Sequence, residues 1–354
     1  MSPQLYNVDL TINALAVIKL LAPHVPYSLQ TLGTILNTGP RPGSLQDVDP
    51  SKVSLWSTIP LNAIPTTSHL ALFSIITFSH LNHQFYLFCS GESCMSSDPP
   101  TKTEEAHVKR VLEHLRDMAN EARPTYDSTL VAAGGSMPRH RSATDPPMII
   151  IGGVHAKWRD VLAPMSASQY PNVRYAFPRG GALAAHAASR RIGEDDIDWD
   201  MSSEIGTSDL SFVRGASSIP RSDAYFLSRA RYSVCIRSQV EGGRPVACAL
   251  MHSDGSIGGL HVDPRYQRRG LGSLVIRALM EKLDFGNSQD GAELHLDDHH
   301  QDLGGGALGW NWTDVAADNN AGNQFFTSLV GKDGRWISHW TYMFLEPNGR
   351  SLCN

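Results

Sequence analysis

The chain has 354 residues, 41% hydrophobic and 18% charged, with a formal net charge of −5. That composition describes a globular protein long enough for two domains. Its acidic balance excludes a molecule built as a whole to neutralise a phosphate backbone, so nucleic acid is not an expected partner and any anion site must be local.

The first 20 residues have no basic region ahead of their apolar part and no Arg-rich amphipathic pattern, which predicts neither export nor organelle import but a cytoplasmic protein. Strand-like runs follow at Val53–Ile59, His69–Phe78 and Gln84–Cys89. The most apolar stretch, 69–88, is interrupted by His80, Asn82, His83 and Gln84, so it reads as two strands around a turn and no membrane span is expected. Next, Val108, Val111, Leu112, Leu115 and Met118 recur at helical spacing opposite Glu104, Glu105, Lys109, Arg110 and Glu113, with prolines before and after. A polar loop at 134–147, a short strand at 148–151 and a weaker helix at 180–191 complete this half. Five cysteines (89, 94, 235, 248, 353) lack metal spacing, and Cys235 and Cys248 read as core thiols.

From 192 to 211 the chain turns acidic and polar, through Glu194, Asp195, Asp196, Asp198 and Asp200. This shift divides residues 1–205 from 206–354; a charged loop within one domain is the alternative. Beyond it come a helix at Asp223–Arg231 and strands at Tyr232–Ile236, Pro245–Met251 and Gly258–Asp263, the last two joined by the hairpin signal Ser253-Asp254-Gly255. A helix at Leu271–Leu283 carries one apolar stripe. After a Gly- and Asp-rich excursion at 286–309, a strand at Trp310–Ala316, a helix at Ala321–Leu329 and a strand at Trp336–Phe344 end the pattern.

The chemistry lies where the strand ending at Asp263 meets the helix beginning at Leu271. Between them stands Gln267-Arg268-Arg269-Gly270-Leu271-Gly272. A strand running through a glycine-containing turn into a helix aims unpaired N–H groups at the positive end of the helix dipole, which is an anion site. Gly270 and Gly272 let a pyrophosphate approach the backbone, and Arg268 and Arg269 add local positive charge.

Residues 262–272 resemble the acyl-CoA signature of the GNAT N-acetyltransferase superfamily, Gln/Arg-x-x-Gly-x-Gly/Ala. The runs from Gly243, Asp254-Gly255, Pro264 to Gly270 and Asp314 to Asn320 resemble its FR47-like and glycine N-acyltransferase-like branch. The match covers about 222–345. It implies an α+β protein with two GNAT-like domains, each a mixed, mostly antiparallel sheet flanked by helices, with 1–205 lacking its own CoA site. It also implies that Leu260, His261 and Val262 pair their backbone with pantetheine and that Gln267 through Ser273 hold the pyrophosphate. Asn319 and Asn320, with Phe326 on the helix after them, flank the thioester.

Relatives often carry a base on the strand before the motif and a tyrosine acid on the last helix. Here Ser256 and Phe325-Phe326 stand in those places. The remaining catalytic candidates are His261, which titrates near neutrality, and Asp314, with His252 on a neighbouring strand. Asp297-Asp298-His299-His300-Gln301-Asp302 has the residue types of a metal site but alternates faces beside a triple glycine, so a gating loop is expected and no metal. Trp310, Trp312, Trp336 and Trp340 are expected in the core more than in an acceptor pocket. The resulting expectation is transfer of an acetyl or other short acyl group from CoA to a primary amine of a small molecule or amino acid, by direct attack. Acylation of a protein or peptide, or a catalytically silent acyl-CoA-binding protein, is the alternative.

Overall fold

The computed structural model describes residues 4–40, 43, 45, 47–61, 72–81, 84–93, 99–121, 149–178, 199–215, 221–285, 306–330 and 336–345. The polar loop at 134–147, the helix expected at 180–191, the acidic run at 192–198, the segment 297–302, Cys94 and Cys353 lie outside these residues.

The N-terminal half opens with β1 (Tyr6–Asn7), α1 (Leu10–Leu21) and α2 (Leu29–Leu36), then β2 (Val53–Ser57), β3 (Ser74–Ser79), β4 (Gln84–Cys89) and α3 (Lys102–Glu121). It continues with β5 (Ile149–His155), α4 (Ala156–Leu162) and β6 (Ser166–Pro178). The C-terminal half comprises β7 (Trp199–Ser203), α5 (Leu210–Arg214), α6 (Asp223–Ser228), β8 (Ser233–Ser238), β9 (Arg244–Met251), β10 (Ile257–Val262), α7 (Leu271–Phe285), β11 (Trp310–Ala316), α8 (Asn320–Val330) and β12 (Trp336–Leu345). Local chemistry starts several of these helices. Asp9 accepts from Thr11 N at 2.9 Å, Ser222 accepts from Tyr225 N at 3.1 Å, and Thr101 and Glu104 exchange bonds as a capping box.

The fold is α+β, and the two halves repeat one plan. In the first, an antiparallel run β2-β3-β4 leads through α3 to β5, which lies parallel to β4. In the second, β7-β8-β9-β10 are antiparallel, and the chain returns through α7 to β11, which touches β10 in parallel at Ser256↔Trp312. The strands form two sheets, ordered β1-β2-β3-β4-β5-β12-β6-β11 and β10-β9-β8-β7.

That order crosses the division expected at 205/206. β7, on the N-terminal side of it, pairs with β8, so part of the acidic stretch is strand and helix and not a linker. β6, from the N-terminal half, lies between β11 and β12 of the C-terminal half. β12 in turn separates β6 from β5. The halves are joined by exchanged strands.

Helix α2 is buried along its whole length, its polar residues Gln30, Thr31 and Thr34 included. It crosses the β9–β10 turn so closely that a Cβ on Gly33 would overlap the Asp254 carbonyl. Alanine in a helix interior is favoured over glycine by about 0.5–1 kcal/mol, whereas forcing a methyl into packed backbone costs roughly 1–3 kcal/mol. Gly33→Ala is therefore expected to lower the denaturant midpoint, and a raised midpoint would contradict this packing.

Four apolar clusters fill the layers. One joins α7 and α8 to one face of β8–β10 and β11, through Val246, Leu271, Val275, Leu279, Val315 and Phe326. Another lies under α5 and α6 on the opposite face of the small sheet, with Cys235, Cys248 and Leu250. Cys235 and Cys248 are buried free thiols on paired strands, in agreement with their reading as core residues.

Candidate active site

Strands β10 and β11 meet at Ser256↔Trp312 and diverge beyond it. Ser256 pairs no further along β11, and residues 258–262 of β10 are all partly exposed. This leaves a strand edge of amide groups facing a gap. On the other side, Asp314 is a half-exposed residue although its side chain is only 7% exposed, so its accessible atoms include backbone.

A bulge interrupts β10 between Gly258 and His261, with Gly259 at φ +59°. It places Gly258 and His261 on the same face, since they pair with Leu250 and Cys248 of the α5/α6 cluster. Leu260 and Val262 pack toward α7. The gap thus has two sides: α7 and α8 on one, and a more polar face bearing Ser256, His261, Trp312 and Asp314 on the other.

At the far end of β10 the turn into α7 has the conformation the sequence predicts. Arg268 and Gly270 have φ of +62° and +85°. The first bond of the helix runs from Leu274 N to Gly270 O at 3.1 Å, so the N–H groups of 271–273 precede the helical ladder and face outward with the dipole. A Cβ on Gly270 would meet nothing within 4 Å, and one on Gly272 would come within 3.1 Å of Phe325. Arg268 and Arg269 are exposed, and Arg269 lies over the Tyr266 ring at 5.3 Å. Gln267 turns back instead, its Nε2 donating to Val262 O at 3.3 Å, which ties the turn to the strand. Asn319 caps α8 by accepting from Gly322 N at 3.0 Å, and Asn320 is the helix's first residue.

The sequence-predicted catalytic candidates all fall on the polar face, in different settings. His261 is half-buried, edge-on to Phe212 at 4.7 Å, and burial lowers its pKa from the usual value, with Asp263 partly opposing the shift. Ser256 donates its hydroxyl to Asp254 Oδ1 at 2.6 Å, and its N–H bonds the same oxygen at 3.0 Å, so it locks the hairpin turn. His252 bonds Tyr225 OH at 2.8 Å and is held neutral by burial and by Arg221 and Arg229. Asp314 is gripped by Arg174, with Nε to Oδ1 and Nη2 to Oδ2 both at 2.7 Å.

Arg174 is the residue that sequence reasoning missed. It lies on β6, opposite Asp314 in register, fully enclosed between the Trp312 and Trp340 rings at 4.3 and 3.9 Å. Its Nη2 also donates to Gln30 Oε1 at 2.8 Å, and Gln30 reaches Asp254 at 3.5 Å. Its Nη1, with Nε1 of both tryptophans, is buried without a partner among the described residues. The expectation of Trp312 and Trp340 in the core holds; Trp310 is partly buried, and the Trp336 side chain is outside the described set. On the opposite side of β6, Tyr175 stacks on Phe326 at 5.8 Å and donates to Asn323 Oδ1 at 3.0 Å.

Among the described residues near the parallel pair β4/β5 in the N-terminal half, the first turn of α3 carries Glu104 and Glu105, and Glu104 is paired with Lys157 at 2.7 Å. Beneath it Glu92 is buried, accepting from Trp158 Nε1 at 2.9 Å and from Cys89 N at 3.0 Å. Burial pushes its carboxyl pKa up to about 8, with the two hydrogen bonds opposing. The unfolded carboxyl titrates near 4.3, so between about pH 4 and 8 the native state holds the extra proton, and its stability falls as pH rises through that window. Glu92→Gln is expected to remove this slope. Relative to the wild-type chain, the variant should gain a few kcal/mol, to order of magnitude, from pH 4 to pH 8 in denaturant unfolding.

Residues 202–301 match the family model described as Acetyltransferase (GNAT) family, so the resemblance read from the sequence is borne out. Among solved structures, a Drosophila protein shares 12% identity at a TM-score of 0.54, over 97% of this chain and 99% of that one. A tandem GNAT protein from the clavulanic acid biosynthesis pathway shares 9% at 0.44, over 96% and 97%. A GNAT-family acetyltransferase from Colwellia psychrerythraea shares 10% at 0.36, over 97% and 100%. No curated protein matches the chain. The family match thus places a GNAT-like acetyltransferase domain within residues 202–301 of the C-terminal half.

Proposed function

We propose that this chain transfers an acetyl or other short acyl group from CoA to a primary amine of a small molecule or amino acid, through a ternary complex. The observation that carries the reading is the continuous path from the turn at 267–273 along the exposed edge of β10 to the gap beside Asp314. A pyrophosphate at the N–H groups of 271–273 directs pantetheine along Leu260, His261 and Val262. The thioester then lies at the Gly258–Gly259 bulge, where backbone N–H groups suit a developing oxyanion.

The acceptor enters from the polar face. Its nitrogen attacks the carbonyl carbon; the C–N bond forms, the C–S bond breaks and the thiolate takes up a proton. Phe326 has no proton to supply, so solvent or the amine itself provides it. His261, lowered by burial, is neutral near pH 7 and available as a proton acceptor. The N-terminal half holds no second CoA, because Glu104 and Glu105 place negative charge where a phosphate would dock. Its role is to complete the acceptor side.

A thiol-release assay with acetyl-CoA and separate panels of small amines, amino acids and short peptides tests this. Release dependent on a small amine or amino acid is expected. Release with peptides alone would shift the reading to protein acylation. Tight acetyl-CoA binding without release would leave a silent binding protein.

A further inference from the structure

Resting on the acyl-transfer reading, we infer that Asp314 holds the acceptor's ammonium group, and that Arg174, supplied by the N-terminal half, is the positioning residue that aims it. The argument begins with place. Asp314 lies two residues beyond the Ser256↔Trp312 contact, at the closed end of the gap and on the face from which an acceptor must approach. The paired side chains differ in access, since Arg174 is 0% and Asp314 7% exposed, so what little surface the pair shows belongs to Asp314.

Geometry fixes the role. Arg174 takes one lone pair from each Asp314 oxygen through its planar fork, leaving the others available. A carboxylate already accepting two charge-assisted bonds is better suited to accept hydrogen bonds from an ammonium than to remove its proton. Neutral His261 or solvent takes that first proton. The neutral amine then forms the C–N bond, and its second proton ends on the departing thiolate. Ammonium plus thioester thus give amide, thiol and one proton.

Arg174 is in turn held by the Trp312 and Trp340 rings and by Gln30, which continues to Asp254 and Ser256 on the opposite strand. One chain of polar contacts therefore links the two walls of the gap. It draws α2 and β6 from one half of the molecule, and β11 and the β9–β10 turn from the other.

The test uses the full chain, acetyl-CoA, and glycine, tyramine, spermidine and a short peptide with a free N-terminus as acceptors. Asp314→Asn is expected to raise the acceptor KM by roughly thirtyfold or more while acetyl-CoA Kd stays within about twofold. Arg174→Gln should do the same, and Arg174→Lys, which keeps the charge but not the planar fork, should recover only part of that loss. Should Asp314→Asn or Arg174→Gln fail to fold, Gln30→Ala makes the same comparison, with an acceptor KM raised about threefold expected. An unchanged acceptor KM in the folded variants would overturn the assignment. So would a parallel loss of acetyl-CoA affinity with no recovery in Arg174→Lys, which would leave the cluster a sheet fastener. A wild-type chain that binds acetyl-CoA yet acylates none of the four acceptors would overturn the acyl-transfer reading itself, and this assignment with it.

Discussion

A fragment spanning residues 199–354 is expected not to fold, although it holds every residue of the GNAT match from 202 onward. The reason is topological. β11 and β12 do not pair with each other; β6 lies between them, bonded to β11 from Trp310↔Pro178 to Ala316↔Asn172 and to β12 from Trp336↔Ala176 to Leu345↔Ser166. Removing β6 leaves both strands with open edges. It also strips Tyr175 from the α7/α8 core and Arg174 from Asp314. Leaving a buried charge without its partner costs roughly 3–5 kcal/mol by itself, a large part of the 5–15 kcal/mol by which domains are typically stable. Circular dichroism and thermal unfolding of the fragment should show no cooperative transition. A monomeric fragment unfolding cooperatively would mean that the exchange of β6 and β12 is not required.

Gly270→Glu is expected to weaken acetyl-CoA binding at least a hundredfold while leaving the fold intact. Two effects act together. At φ +85° an L-residue is strained by about 1–2 kcal/mol, and the new carboxylate stands at the helix terminus where a pyrophosphate should sit. Since each 1.4 kcal/mol is tenfold in Kd, strain alone gives at most about thirtyfold, and charge repulsion must supply the rest. Gly270→Ala, which adds strain without charge, should therefore fall between wild type and Gly270→Glu in calorimetry. Nothing within 4 Å crowds a Cβ at this position, so stability should fall by no more than that strain of about 1–2 kcal/mol and the fold should persist. If Gly270→Glu binds acetyl-CoA like wild type, the turn is not the pyrophosphate site.

These expectations divide along the line between what the sequence makes legible and what it hides. The strand, turn and helix from 257 to 285 are read easily because their determinants are local: a hairpin turn, glycines where φ is positive, and an apolar stripe at helical spacing. β6 was not read as a strand. Pro171 argues against a central strand, and Arg174 is a residue rarely buried unless paired. Its partner Asp314 lies 140 residues away, and no window along the chain contains both. The same distance hides the exchange of β6 and β12, so the composition shift reads as a boundary although the sheet crosses it. Helix α2 is hard to read because it is short and buried all round, so that even its polar side chains Gln30, Thr31 and Thr34 face protein.

Within the site, the strand pattern set His261 and Asp314 on strands and the resemblance pointed to Ser256, but neither could give their settings. The bulge at Gly258–Gly259 resets the alternation of β10, so His261 shares a face with Gly258, three residues earlier. Only the paired glycines hinted at that. Ser256 stands in the place where relatives carry a base, yet its hydroxyl is committed to Asp254, an interaction fixed by turn geometry.

The account is tested most directly by following a radiolabelled acetyl group from acetyl-CoA in the presence of the full chain and an amine acceptor. Label recovered in the acceptor's amide, dependent on the amine and lost in Gly270→Glu, is the predicted result. Label that stays on CoA despite tight binding, or leaves as free acetate at a rate the amine does not change, would contradict it.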